Sequence, residues 1–179
     1  MQEILPHIKE VPIFVAGGIG RGEVILKFLQ LGAAGCQIGT RFVCANESIA
    51  HSKFKNIFIK SEARNAQISV KIDDRLPVIP VRAIENSATQ NFISEQKKLI
   101  NLVEKKEISL KDAQLSIEHF WAGSLKKAVI DGDVESGSLM AGQSVSLVKK
   151  LQSVSEIFNE LTQQMKSQIN FEQKDSNNG

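Results

Sequence analysis

The chain has 179 residues, of which 42% are hydrophobic and 23% charged, a usage far from that of disordered chains and suited to folding around a core. Its 22 Lys+Arg against 20 Asp+Glu leave a formal charge of +2, and no basic stripe is interleaved with aromatics, so a nucleic-acid partner is not expected. The longest apolar run, residues 11–19, falls short of the roughly 20 residues a bilayer requires, and Glu3, Pro6 and Glu10 interrupt any signal core, so a cytoplasmic protein without a membrane partner is expected.

Residues 11–16, Val-Pro-Ile-Phe-Val-Ala, form a β-branched and aromatic run without polar alternation, which predicts a strand of a parallel sheet covered on both faces and ending at Gly17-Gly18. Val24, Phe28 and Leu31 then recur at helical spacing, so residues 23–31 predict an amphipathic helix that Gly32 ends in a left-handed conformation. Cys36-Gln37-Ile38 predicts a short second strand, stopped by Gly39-Thr40. Such βα units belong to α/β architectures whose ligands bind above the carboxyl ends of the strands. Cys36 and Cys44 lack metal-ligand spacing and are expected to be reduced thiols, Cys36 buried; no metal site is expected.

A helix is predicted over 47–64, with Ile49, Phe54, Ile57 and Phe58 on its apolar side and His51 on the polar one. Residues 65–93, with Pro77, Pro80 and short β-branched runs, predict an irregular excursion or small hairpin. Helices are predicted over 94–107, 109–122, 124–130 and 139–151. Ser153 and Glu156 have capping-box spacing, so a last helix should start there and run to about Ile169, followed by a polar, disordered tail over 171–179. The expected organisation is therefore 1–64 as βα units, 65–93 as excursion, 94–170 as a helical C-terminal region, and the tail.

Two glycine turns carry the chemistry. At Gly17 and Gly18 the missing Cβ atoms let backbone amides approach an anion and form a concave nest, although two glycines after an apolar run also make an ordinary turn. At Gln37, Ile38, Gly39 and Thr40 a strand meets a helix, whose first amides and the Thr40 hydroxyl suit a phosphate; Thr40 has the alternative of serving as an N-cap, and Arg41 that of a surface salt bridge. Two such turns after consecutive strands, about 22 residues apart, match the phosphate site formed by the loops after strands 7 and 8 of a (β/α)₈ barrel. His119 lies in the amphipathic stretch beside Trp121, which is read as a core anchor.

Residues 15–42 resemble the flavin-phosphate segment shared by nitronate monooxygenases, formerly called 2-nitropropane dioxygenases, and the FMN-dependent enoyl-ACP reductases of type II. Residues 80–86, Pro-Val-Arg-Ala-Ile-Glu-Asn, are similar to a stretch that follows the last barrel helix in that superfamily. Residues 132–143, from Gly132 through Gly137-Ser138-Leu139-Met140 to Gln143, are similar to a block of the reductases, which favours the reductase type. The resemblance implies an α/β fold made of about the last two strand–helix units of a (β/α)₈ TIM barrel plus a helical extension. It implies FMN held by Gly17, Gly18, Gln37, Ile38, Gly39 and Thr40, with Met140, Ala141, Gly142 and Gln143 approaching the flavin from the C-terminal region. Core packing is the alternative for Met140, a helix-surface amide for Gln143.

The reductases pass hydride from NAD(P)H through flavin to an acyl chain carried on acyl carrier protein, as part of fatty acid biosynthesis. Neither His51 nor His119 matches the family's catalytic histidine, which lies earlier in related chains, so the catalytic residue is expected in a missing barrel half, from the same gene or a separate chain. A truncated or split reading frame, a two-chain enzyme and a non-catalytic interaction fragment are the competing expectations. Nitronate monooxygenase is the alternative activity.

Overall fold

The computed structural model describes residues 4–8 and 10–177. These fall into two compact units, the described residues of 1–48 with those of 147–179, and residues 49–146. These boundaries differ from those expected, because the last helix returns to the first βα units instead of joining the other helices.

In the first unit, strand β1 (Phe14–Ala16), helix α1 (Gly22–Gln30) and strand β2 (Gly35–Gln37) form a βαβ unit. The strands pair in parallel, Phe14 opposite Gly35, Val15 opposite Cys36 and Ala16 opposite Gln37. Val15 is buried with Leu5, Ile19 and Ala33 beneath α1, where Ile25 and Phe28 pack against them. The opposite face is open within this unit: Phe14 is 63% exposed and its ring lies across Gly35, where a Cβ would come within 2.7 Å of it. The expectation of a sheet covered on both faces is thus corrected for this unit, since its described residues supply helices to one face only. Gly32, at φ 99°, stops α1 as expected.

A single helix over 47–64 is not found. Helix α2 is one turn, Thr40–Val43; Ala45 then bridges Gln152, and helix α3 (Ser52–Lys60) starts only after His51, whose Nδ1 accepts from the Lys53 amide at 3.1 Å. His51 is a helix cap, not a member of a polar helical face. The last helix, α7 (Val154–Asn177), starts at the expected capping box: Ser153 Oγ accepts from Glu156 N at 3.1 Å, and Glu156 Oε2 from Ser153 N at 2.6 Å. It continues eight residues beyond Ile169, through most of the predicted tail, because Glu172 bonds Lys27 Nζ and Gln30 Nε2 on α1; the last two residues of the tail lie outside the described ones.

In the second unit, strand β3 (Ala66–Ile68) pairs antiparallel with strand β4 (Arg82–Ile84), so the expected excursion has a hairpin at its base. Its tip is ordered by Gln96, fully buried, whose side chain accepts from Ile72 N and donates to Val70 O, both at 3.0 Å. Helix α4 (Ser87–Glu104) begins seven residues earlier than predicted, capped by Asn86. Helices α5 (Leu110–Trp121) and α6 (Ser124–Val129) fall close to expectation. The core joins Leu76 and Val78 of the excursion to Phe92, Leu99 and Ile100 of α4 and to Ala113 and Ile117 of α5. Trp121 packs half-buried against it, 4.7 Å from Phe92 between ring centres, as the anchor it was expected to be.

The helix predicted over 139–151 is absent. Leu139 O accepts from Ile84 N and Ala141 N donates to Arg82 O, so residues 139–141 run beside β4 as an extended segment, with Met140 opposite Ala83. A 3₁₀ turn over Gln143–Leu147 follows. Backbone pairing with a strand distant in sequence has overridden local helical spacing here. No helix among the described residues is long and apolar enough to cross a membrane.

Candidate functional site

The parallel register is the central fact of the first unit. It sets Ala16 beside Gln37, so Gly17-Gly18 and Ile38-Gly39-Thr40 leave the sheet at the same carboxyl edge. Gly17 and Gly18 hold φ angles of 94° and 69°, a left-handed conformation that costs an L-residue roughly 1–2 kcal/mol. Both glycines and Gly39 are exposed, and a Cβ built on any of the three meets no heavy atom within 4 Å. At Gly17 and Gly18 it is therefore backbone conformation, not crowding, that demands glycine.

Beneath this edge the turn is fastened by a network that residue spacing gave no sign of. Arg41 is 3% exposed; it donates to Gly20 O at 3.0 Å, Glu160 Oε2 at 2.9 Å and Gln152 Oε1 at 3.3 Å. Gln164, on the next turn of α7, accepts from Gly22 N at 2.7 Å and bonds Glu160 in turn. Arg41 holds the Glu160 carboxyl below the usual carboxylate range. The guanidinium therefore faces inward, toward a carbonyl and a carboxylate, and the salt bridge expected at the surface is a half-buried one, with Arg41 enclosed and Glu160 partly exposed. Gly22 has a steric role as well: a Cβ there would lie 2.0 Å from Leu161 O, so only glycine lets α1 approach α7 this closely.

Met140, Ala141, Gly142 and Gln143 belong to the second unit. Met140 is 41% exposed and Ala141 buried, while Gln143 is exposed in the 3₁₀ turn. Asn86 joins the two motifs of this unit: its Nδ2 donates to Val134 O at 2.7 Å and Gly137 O at 2.8 Å, and its Oδ1 caps α4 through the Thr89 amide. Gly132 and Gly137 permit close packing, against the His51 ring and the Ala128 backbone. Much of this block's pattern is thus accounted for by local fastening.

Cys44 is buried and Cys36 half-buried, so the expected full burial of Cys36 does not hold; partial burial still pushes its thiol pKa up, away from reactivity. His119 is exposed on α5. Among the described residues no group of His, Cys, Asp and Glu is arranged to hold a metal.

A model of the family described as nitronate monooxygenase matches residues 2–164, nearly the whole chain. The chain belongs to that family. The family comprises flavin-dependent oxidoreductases. Probable nitronate monooxygenases of Staphylococcus saprophyticus and Staphylococcus aureus are each 28% identical to this chain, over 66% and 67% of it, and the match spans 34% and 36% of their own lengths. Among solved structures, FabK from Thermotoga maritima is similar over 97% of this chain and 50% of its own, with a TM-score of 0.74 and 25% identity. A nitroalkane oxidase from Streptomyces ansochromogenes, 21% identical, shares the fold with a TM-score of 0.61 over 93% of this chain and 43% of its own. The chain thus spans about a third of these curated family relatives and half or less of these structures.

Proposed function

We propose that this chain forms the phosphate-gripping part of an FMN-dependent oxidoreductase, with β1 and β2 as two adjacent strands of a (β/α)₈ barrel. The observation that carries the reading is the parallel register, which puts two glycine turns at one carboxyl edge, the edge where barrel enzymes bind their ligands. The exposed amides of Gly17 and Gly18, in left-handed conformation and with open space where side chains would be, fit a phosphate; Gln37, Ile38, Gly39 and Thr40 hold it from the second turn. Arg41 acts from beneath, fixing Gly20 and so the first turn. In the whole enzyme Met140, Ala141, Gly142 and Gln143 contribute to the flavin site.

FMN, when bound, supplies the two-electron redox chemistry. The protein's part is to orient it and to exclude competing reactions. Enoyl-ACP reduction with NAD(P)H is the favoured activity, supported by the likeness to FabK, an enoyl-ACP reductase, over nearly the whole chain. Nitronate oxidation is the second reading, favoured by the family match and the curated relatives. The chain joined to the strand–helix units that precede this region in its relatives should oxidise NAD(P)H when given enoyl-ACP. Oxygen uptake with a nitronate, and none of that NAD(P)H oxidation, would select the second reading; neither activity, with no flavin retained, would leave a non-catalytic interaction fragment.

A further inference from the structure

The second unit contains an open cleft of about 380 Å³, within the range of roughly 300–1,000 Å³ common to small-molecule sites. Its walls are largely apolar: Val78 and Val81 from the excursion, Phe92 from α4, and Ile117 and Trp121 from α5. A narrower cavity of about 30 Å³ shares Ser69, Phe92 and Trp121 with it and is lined further by Ala83, Ala88, Leu139 and Ser138. The Ser69 hydroxyl is engaged, accepting from Val81 N at 2.9 Å.

Ser138 differs from every other polar group here. It is 5% exposed, and its Oγ is the buried side-chain polar atom without a hydrogen-bond partner among the described residues. Leaving a hydroxyl unsatisfied in such surroundings costs stability that an alanine would not. No Lys, Arg or His lines either cavity, whereas Glu118 lines the cleft and Glu85 the narrower cavity, so a carboxylate head group would be buried there without a counter-ion and beside like charge.

We propose that the cleft and the narrower cavity beside it together bind a neutral aliphatic molecule, its chain lying in the cleft on Phe92, Ile117 and Trp121 and its uncharged hydrogen-bonding head entering the narrower cavity past Ser69, Phe92 and Trp121 to meet Ser138 Oγ. The site is built from residues of the second unit alone and stands whether or not the glycine turns of the first bind flavin. Trp121 is the single tryptophan of a chain without tyrosine, so its emission reports this cleft alone. Titrating the full chain with 1-octanol should change that emission saturably and raise the melting temperature, while octanoate at neutral pH should bind at least about tenfold more weakly. Ser138→Ala should weaken 1-octanol binding about three- to tenfold, the worth of one hydrogen bond, without lowering the melting temperature of the free protein. A non-saturable response, equal binding of alcohol and carboxylate, tighter binding of octylammonium than of 1-octanol, or unchanged affinity in Ser138→Ala would each overturn the proposal.

Discussion

Gly18 and Arg41 show how differently two residues of one motif serve it. Gly18 is needed for its φ of 69° alone, since nothing surrounds the place of its missing Cβ. Gly18→Ala should therefore cost only about 1–2 kcal/mol in chemical denaturation, yet reduce flavin retention in the joined enzyme by altering the amides' direction. Arg41 is needed for what lies under the turn. Arg41→Met strands a buried carbonyl and removes the partner of Glu160, and should cost about 2–4 kcal/mol, less than the loss of a fully buried pair because Glu160 remains partly exposed. A double variant, Arg41→Met with Glu160→Leu, should recover part of that loss; full additivity of the two single changes would show that the residues are not coupled.

Helix α7 illustrates the limit of reading elements one at a time. Its start was legible at Ser153 and Glu156, because capping is a contact between residues three apart. Its end was not, because what extends the helix is Lys27 and Gln30 on α1, some 142–145 positions away. Lys27 first, then Gln168 and Gln30, lower the Glu172 pKa to about 2. A depressed carboxylate pKa adds stability that is fully present above its unfolded value near 4.3 and is lost as pH falls toward 2. Protection of the amides over residues 168–177, taken relative to their intrinsic exchange rates at each pH, should accordingly fall between about pH 4.5 and 2, and Lys27→Met should remove that pH dependence of protection. The segment at 139–141 is the opposite case, where spacing suggested a helix and pairing with β4 produced an extended stretch.

At the scale of the molecule, the open face of the β1–β2 sheet sets what this chain is suited to. Phe14, 63% exposed, should tolerate Phe14→Asp in the isolated chain with a change within about 0.5 kcal/mol. If that face becomes barrel interior, the same substitution should prevent soluble assembly with the remaining strand–helix units of the proposed barrel, measured by co-purification of the two parts. Equal assembly of both forms would mean that Phe14 does not enter a barrel core.

Local order was written plainly in the residues: the β1–α1–β2 alternation, the left-handed stop at Gly32, the glycine turns and the capping box. These depend on backbone preference and on neighbours within a few positions, which periodicity and turn chemistry report directly. Tertiary structure alone decided that Arg41 faces inward to Glu160, that Gly22 admits α7, that Gln96 orders the excursion and that residues 139–141 lie beside β4. Each joins groups at least 24 positions apart, most of them more than 50, and the energy of such contacts comes from burial and pairing in space, which local spacing does not encode.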